Sequence, residues 1–171
     1  MFTKKVVIMD NKIDLISEKL VKLLMDKKMT ISTAESCTGG MISSSIVNIS
    51  GASYVLNEAY VTYSNEAKMR LLGVEKKTLD EFGAVSEETA SQMVTGVARI
   101  TGADCAISVT GIAGPDGGTE EKPVGTVYVG YYFNGYTKIE KYNFAGDRYN
   151  VRRNTTKTVL SKMLELINNS Q

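Results

Sequence analysis

The chain has 171 residues, a length that fits one domain with a substantial core. Its 20 basic and 19 acidic residues leave a net charge of +1, which argues against a nucleic-acid-binding surface as the main business of the molecule. No apolar run is long enough to span a bilayer, and the run after Lys4 and Lys5 is too short for the core of a signal peptide, so a cytoplasmic protein is expected.

The elements follow in chain order. Ile13, Ile16, Leu20, Leu23 and Leu24 recur at helical spacing and predict an amphipathic helix over 14–27. Residues 29–35 read as a short strand, and Gly39 and Gly40 open a second helix to about residue 48. Residues 54–63 are rich in aromatic and β-branched types and read as extended. Residues 65–71 favour a short helix ending at Gly73. Ser86 is a good N-cap, with Glu87 and Glu88 in the first turn of a helix running to about Ile100 and stopped by Gly102. Ala103 to Val109 is a compact apolar run, expected as a buried strand that hides Cys105. Residues 110–125 form a glycine-rich loop. Asn134-Gly135 between two β-rich runs, 126–133 and 136–144, specifies a type I′ hairpin. Asp147 can cap a last helix that turns Val159, Leu160, Met163, Leu164 and Ile167 inward.

This alternation predicts a single-domain layered α/β/α sandwich with a mixed sheet that includes a C-terminal β-hairpin. Residues 1–12 are set apart as an N-terminal extension, an edge strand or a loose arm, and the domain proper is placed at 13–171. With no histidine, and with Cys37 and Cys105 far apart, neither a metal site nor a cofactor is expected and both thiols should be free.

The densest chemistry lies in Thr33-Ala34-Glu35-Ser36-Cys37-Thr38-Gly39-Gly40, where a strand should end and a helix begin. In one reading Ser36 is a nucleophile, and the unpaired N–H groups of Cys37, Thr38, Gly39 and Gly40 hold an oxyanion or a phosphate. In the other, Ser36 or Thr38 is an N-cap and the glycines permit close packing. A serine nucleophile needs a base, and without imidazole the main alternative is a lysine whose pKa is depressed by burial or a positive neighbour. Lys68, in Tyr63-Ser64-Asn65-Glu66-Ala67-Lys68, is the candidate; a solvated lysine on a short helix is the competing reading. Cys37 is the rival nucleophile, since a thiol at a helix N-terminus should have a lowered pKa, or else a small buried side chain. The loop Thr110-Gly111-Ile112-Ala113-Gly114-Pro115-Asp116-Gly117-Gly118 lets backbone approach a ligand closely and can form an anion-binding nest; it matches neither a Walker loop nor the Rossmann spacing. Arg148 has the planar fork for a phosphate or carboxylate, whereas Arg152 and Arg153 are assigned to the surface or an interface.

Together with Val61-Thr62-Tyr63-Ser64-Asn65-Glu66-Ala67-Lys68, Gly83-Ala84-Val85-Ser86, the 120–127 segment and Gly146-Asp147-Arg148, these motifs resemble the CinA C-terminal domain family over about residues 14–167. Stand-alone members of that family are nicotinamide-nucleotide amidases of the PncC type. The resemblance implies hydrolysis of nicotinamide mononucleotide to nicotinate mononucleotide and ammonia, a step of pyridine nucleotide salvage. It implies a serine–lysine pair at Ser36 and Lys68, with Tyr63, Thr110 and Arg148 at active-site positions. On this reading Tyr63 and Thr110 orient Lys68 or the amide. Cys37, Thr38, Gly39 and Gly40 line the oxyanion side, while Gly111, Gly114, Gly117, Gly118 and Arg148 hold the phosphate or ribose. It also implies a homo-oligomer, a homodimer in the simplest case, and a one-domain version without the amino-terminal domain of full-length CinA proteins. The alternative it leaves is a non-catalytic nucleotide-binding or interaction module linked to competence or DNA damage.

Overall fold

The computed structural model of the protein describes residues 11–169, so residues 1–10, most of the expected extension, lie outside the described residues. Asn11 and Lys12 belong to the first helix, α1 (Asn11–Lys27), which starts three residues before the expected point. It is followed by β1 (Ile31–Glu35), α2 (Met41–Val47), β2 (Leu56–Val61), α3 (Asn65–Leu72), α4 (Lys76–Phe82), α5 (Glu87–Thr101), β3 (Cys105–Gly111), β4 (Thr126–Phe133), β5 (Tyr136–Asn143) and α6 (Arg148–Asn169). The five strands form one sheet in the order β2-β1-β3-β4-β5, parallel across β2, β1 and β3 and antiparallel from β3 to β5. This is the mixed α/β sheet with a hairpin that the alternation of elements predicts. Asn134 and Gly135 both take positive φ, 46° and 88°, as a type I′ turn requires.

The two faces of the sheet are filled differently. Ile31, Cys105, Ile107, Val109, Val127, Val129 and Tyr131 pack against α1, α2 and α6 in one large cluster. The opposite face presents Ala34, Ala106, Ser108 and Gly130, and α5 lies close upon it. A Cβ on Gly130 would stand 2.8 Å from Val94 of α5, so the small residues are what let the helix approach. Among the inward residues expected on α6, Val159, Leu160, Met163 and Ile167 are buried and Leu164 is half-buried. α4 was not foreseen; its N-cap, Glu75, makes no side-chain capping bond that would announce it.

Register decides where the chemistry gathers. Glu35 of β1 is opposite Val61 of β2 and Val109 of β3. Beyond that level, Thr62 N–H donates to Glu35 O and Ser36 N–H donates to Val109 O, each at 2.9 Å. The residues following the three parallel strands therefore lie side by side. In open sheets with parallel strands, ligands bind outside such carboxyl ends.

Candidate active site

Lys68 is brought to Ser36 by α3. Ser64 caps that helix, its hydroxyl accepting from the Ala67 N–H, and Gly73 closes it in the left-handed region with φ 74°. Lys68 lies in the first turn of α3, which begins four residues after the end of β2. Its side chain is 1% exposed. Lys68 Nζ lies 3.2 Å from Ser36 Oγ, donates to Thr62 O at 2.9 Å, and is 3.4 Å from Tyr63 O. Two amine hydrogens matched to two carbonyls leave the lone pair of a neutral lysine for the Ser36 hydroxyl hydrogen. Burial holds the Lys68 ammonium below the ordinary lysine range; the nearby Cys37 and Glu66 act in the opposite sense.

The turn after Ser36 is gripped from two sides. Glu35, fully buried, receives the N–H groups of Gly40 (3.0 Å), Ile42 (3.1 Å) and Ser43 (2.8 Å). An acid at a helix N-terminus satisfies orphan donors and the helix dipole together. The Gly39 N–H donates to Ser36 O at 3.0 Å. The donor role expected of Gly39 and Gly40 therefore does not hold, because their N–H groups are already engaged within the turn. Among the described residues, the N–H groups of Cys37 and Thr38 donate to no carbonyl or carboxylate oxygen, although the Cys37 N–H faces its own sulfur. The Thr38 hydroxyl is also buried without a partner among these residues.

Two arginines of α6 reach this end of the sheet. Arg148 Nη1 donates to Gly114 O and Nη2 to Tyr63 Oη, both at 2.9 Å. Arg152, assigned from sequence to the surface or an interface, instead donates from Nε to Cys37 O (3.1 Å) and from Nη2 to Thr38 O (2.8 Å). Those acceptors are backbone atoms far away in the chain, and spacing along α6 carries no sign of them.

Other expectations change in detail. The Cys37 thiol is not lowered: burial pushes it up to about 12, opposed most by its own backbone N–H, while Glu35 adds to the rise and Arg152 and Lys68 act weakly against it. It is packed as a core residue, 5% exposed. Tyr63 meets Lys68 through its carbonyl, while its phenol is exposed and bonded to Arg148. Thr110 sits level with Ser36, but its hydroxyl donates to Ala84 O at 2.6 Å and so ties the 83–86 turn to the end of β3. The loop glycines approach the chain itself. A Cβ would fall 2.8 Å from Thr126 O at Gly111, 2.5 Å from Val124 Cγ1 at Gly114 and 2.8 Å from Val124 N at Gly118; Gly117 is less crowded, with Ile112 Cγ2 at 3.7 Å. Sequence reasoning passed over Glu35 and the Thr62 carbonyl. The first had a signal, an acid between a strand and a glycine-opened helix; the second, a main-chain atom, had none.

A layered α/β domain with a buried lysine against a serine at the strand ends is thus in place, and comparison places it among known proteins. The family model of the CinA C-terminal domain matches residues 13–167, and the chain belongs to that family. It is 59% identical over 145 residues to a Clostridium perfringens protein named for competence-damage inducibility, covering 85% of this chain and 35% of that one. It is 56% identical to a CinA-like protein of Kosmotoga olearia over 80% of this chain and 33% of the other. The chain thus spans about a third of the length of the curated relatives it matches. Among solved structures, the competence/damage inducible protein CihA of Agrobacterium tumefaciens superposes with a TM-score of 0.89 at 39% identity, covering 92% of this chain and 96% of that one. The competence damage-inducible protein A of Klebsiella pneumoniae gives 0.90 at 33% identity, with 93% and 99% covered. Among the described residues no helix is long and apolar enough to cross a membrane.

Proposed function

We propose that the protein is an amidohydrolase that converts nicotinamide mononucleotide to nicotinate mononucleotide and ammonia through a Ser36 acyl-enzyme. The observation that carries this reading is the 3.2 Å approach of the buried Lys68 Nζ to Ser36 Oγ. A lysine serves as a base only when neutral, and burial favours that form.

Neutral Lys68 takes the Ser36 hydroxyl proton as Oγ bonds to the carboxamide carbon, whose π electrons move onto its oxygen. The N–H groups of Cys37 and Thr38 are the donors for that oxyanion, and each well-placed donor contributes about 3 kcal/mol to lowering the barrier. Lys68 then returns the proton to the departing nitrogen as the C–N bond breaks and ammonia leaves. Water adds to the ester, with Lys68 again as base, and nicotinate mononucleotide is released as Ser36 recovers its proton. Thr62 O and Tyr63 O aim the amine throughout. Arg148, which joins Gly114 O to Tyr63 Oη beside the site, is the cation for the ribose and phosphate.

The test is ammonia release by the purified chain from nicotinamide mononucleotide, compared with nicotinamide riboside and free nicotinamide. Turnover should favour the mononucleotide and should fall by at least about 10³-fold in Ser36→Ala and in Lys68→Ala, the scale on which removal of a nucleophile or its base acts. Near-normal turnover in either folded variant rejects the pair. Saturable mononucleotide binding without ammonia release would identify a non-catalytic binding module instead.

A further inference from the structure

We propose that Arg152 is a positioning residue for the oxyanion site: its guanidinium holds the two peptide groups that aim the Thr38 N–H at the reacting oxygen. The inference rests on the reading of Ser36 as the nucleophile. It starts from the fact that a peptide group is a rigid plane in which the carbonyl of one residue and the N–H of the next point in opposite directions. Arg152 Nε binds Cys37 O at 3.1 Å, so it fixes where the Thr38 N–H on the other side of that plane points. Its Nη2 binds the next carbonyl, Thr38 O, at 2.8 Å, and so locks the following plane as well.

Such locking has a purpose in this turn. Gly39 and Gly40 follow with φ of 60° and 92°, and glycine makes alternative orientations of the neighbouring peptides inexpensive. The 38–39 peptide is held by the Gly39 N–H on Ser36 O (3.0 Å) and by the Met41 N–H on Thr38 O (3.3 Å), while Glu35, which holds the helix end of the turn through Gly40, Ile42 and Ser43, makes no bond to the 37–38 peptide. Arg152 supplies that missing hold. A cation on the carbonyl side also draws electron density through the peptide, which makes the opposite N–H a stronger donor. The backbone that carries this side chain is anchored in turn: Val151 beside it is fully buried, and the Arg152 carbonyl accepts from the Thr156 hydroxyl. Arg148, four residues earlier and therefore on the same face of α6, faces Gly114 O and Tyr63 Oη, so the two arginines serve different parts of the site.

The rival role for Arg152 is a direct ligand of a substrate phosphate. Two measurements on the full chain separate them: the rate at which a fluorophosphonate labels Ser36, which needs the oxyanion donors but no nucleotide phosphate, and kcat and KM for nicotinamide mononucleotide. In Arg152→Gln, labelling and kcat should both fall about 100-fold, the effect of losing one oxyanion donor, with KM within about twofold of wild type. Arg152→Lys, a point charge that cannot hold both carbonyls, should recover part of both rates. Unchanged labelling with a raised KM overturns the proposal in favour of a phosphate ligand, and wild-type labelling and kcat in Arg152→Lys overturn it too. Melting curves accompany both variants, and the lysine variant carries the test if the glutamine variant does not fold. Wild-type protein that is labelled at Ser36 while the variants match it refutes the role of Arg152 alone. Wild-type protein that is neither labelled nor active refutes the Ser36 reading along with it.

Discussion

Lys68 Nζ and Ser36 Oγ, 32 positions apart in sequence, meet at 3.2 Å in the protein interior, and the oxygens around the amine are two main-chain carbonyls and one hydroxyl. Neither carbonyl carries a compensating charge. Burial therefore penalises the ammonium form relative to a lysine in water.

That cost gives a pH dependence with a definite sign. The folded pKa of Lys68 lies below its unfolded value, so between the two the unfolded chain binds more protons and stability rises with pH through the folded pKa. Denaturant titrations should show Lys68→Met, which removes the buried charge, gaining most over wild type at low pH and losing that margin as pH rises through this window. A constant margin across pH would mean that Lys68 titrates normally. In the same window kcat/KM of the wild type should climb with pH, its midpoint below the ordinary lysine value.

Cys37 should be inert despite its place beside Ser36. With its thiol pushed up to about 12, alkylation by iodoacetamide at neutral pH should be slow until the chain unfolds. Cys37→Ala should keep most turnover and lose about 1 kcal/mol of stability, a typical value for a point substitution. A loss of turnover as large as that in Ser36→Ala would make the thiol part of the chemistry.

Tyr63→Phe separates main chain from side chain. The carbonyl near Lys68 survives, so the pH midpoint of the rate should stay where it is. The phenol bonded to Arg148 is lost, so KM should rise, by about tenfold at most for a hydrogen bond of about 1 kcal/mol. A shifted midpoint with unchanged KM would reverse that assignment.

Gly96 lies far from the chemistry in sequence but supports it. A Cβ there would stand 2.0 Å from the Leu72 carbonyl oxygen at the end of α3. Backbone cannot yield as a flexible side chain does. Gly96→Ala should therefore cost about 3 kcal/mol, the upper range for overpacking, and should lower turnover by shifting the helix that carries Lys68. A thermal melt and a rate measured well below the transition check the two effects separately.

The sequence made some parts of this arrangement legible for physical reasons. Asn134-Gly135 dictates its turn locally, Ser86 caps α5 by accepting from the Thr89 N–H, and the apolar run at Cys105 is buried on both faces as the central strand of a sheet covered by helices should be. Ser36 and Lys68 stood out because the chain lacks histidine and because their motifs resemble a known family. Arg152 and the Thr62 carbonyl were hidden, since their contacts run to or from main-chain atoms that any residue type supplies, whereas Glu35, an acid before a glycine-opened helix, carried a signal that was passed over. The loop glycines misled for a related reason. Glycine records that something comes close, and at Gly111, Gly114 and Gly118 the neighbour is Thr126, Val124 or Val127 of the same chain.

Glu35 has one more consequence. A helix start beside a nucleophile is ordinarily an open berth for free anions, but here the berth is filled by a carboxylate tethered to the chain. Orthophosphate or sulfate in a buffer cannot match the local concentration of a covalently attached competitor. The N–H groups of Gly40, Ile42 and Ser43 are thereby closed to free anions, and under the proposed function a substrate phosphate would have to be recognised farther out, by side chains such as Arg148.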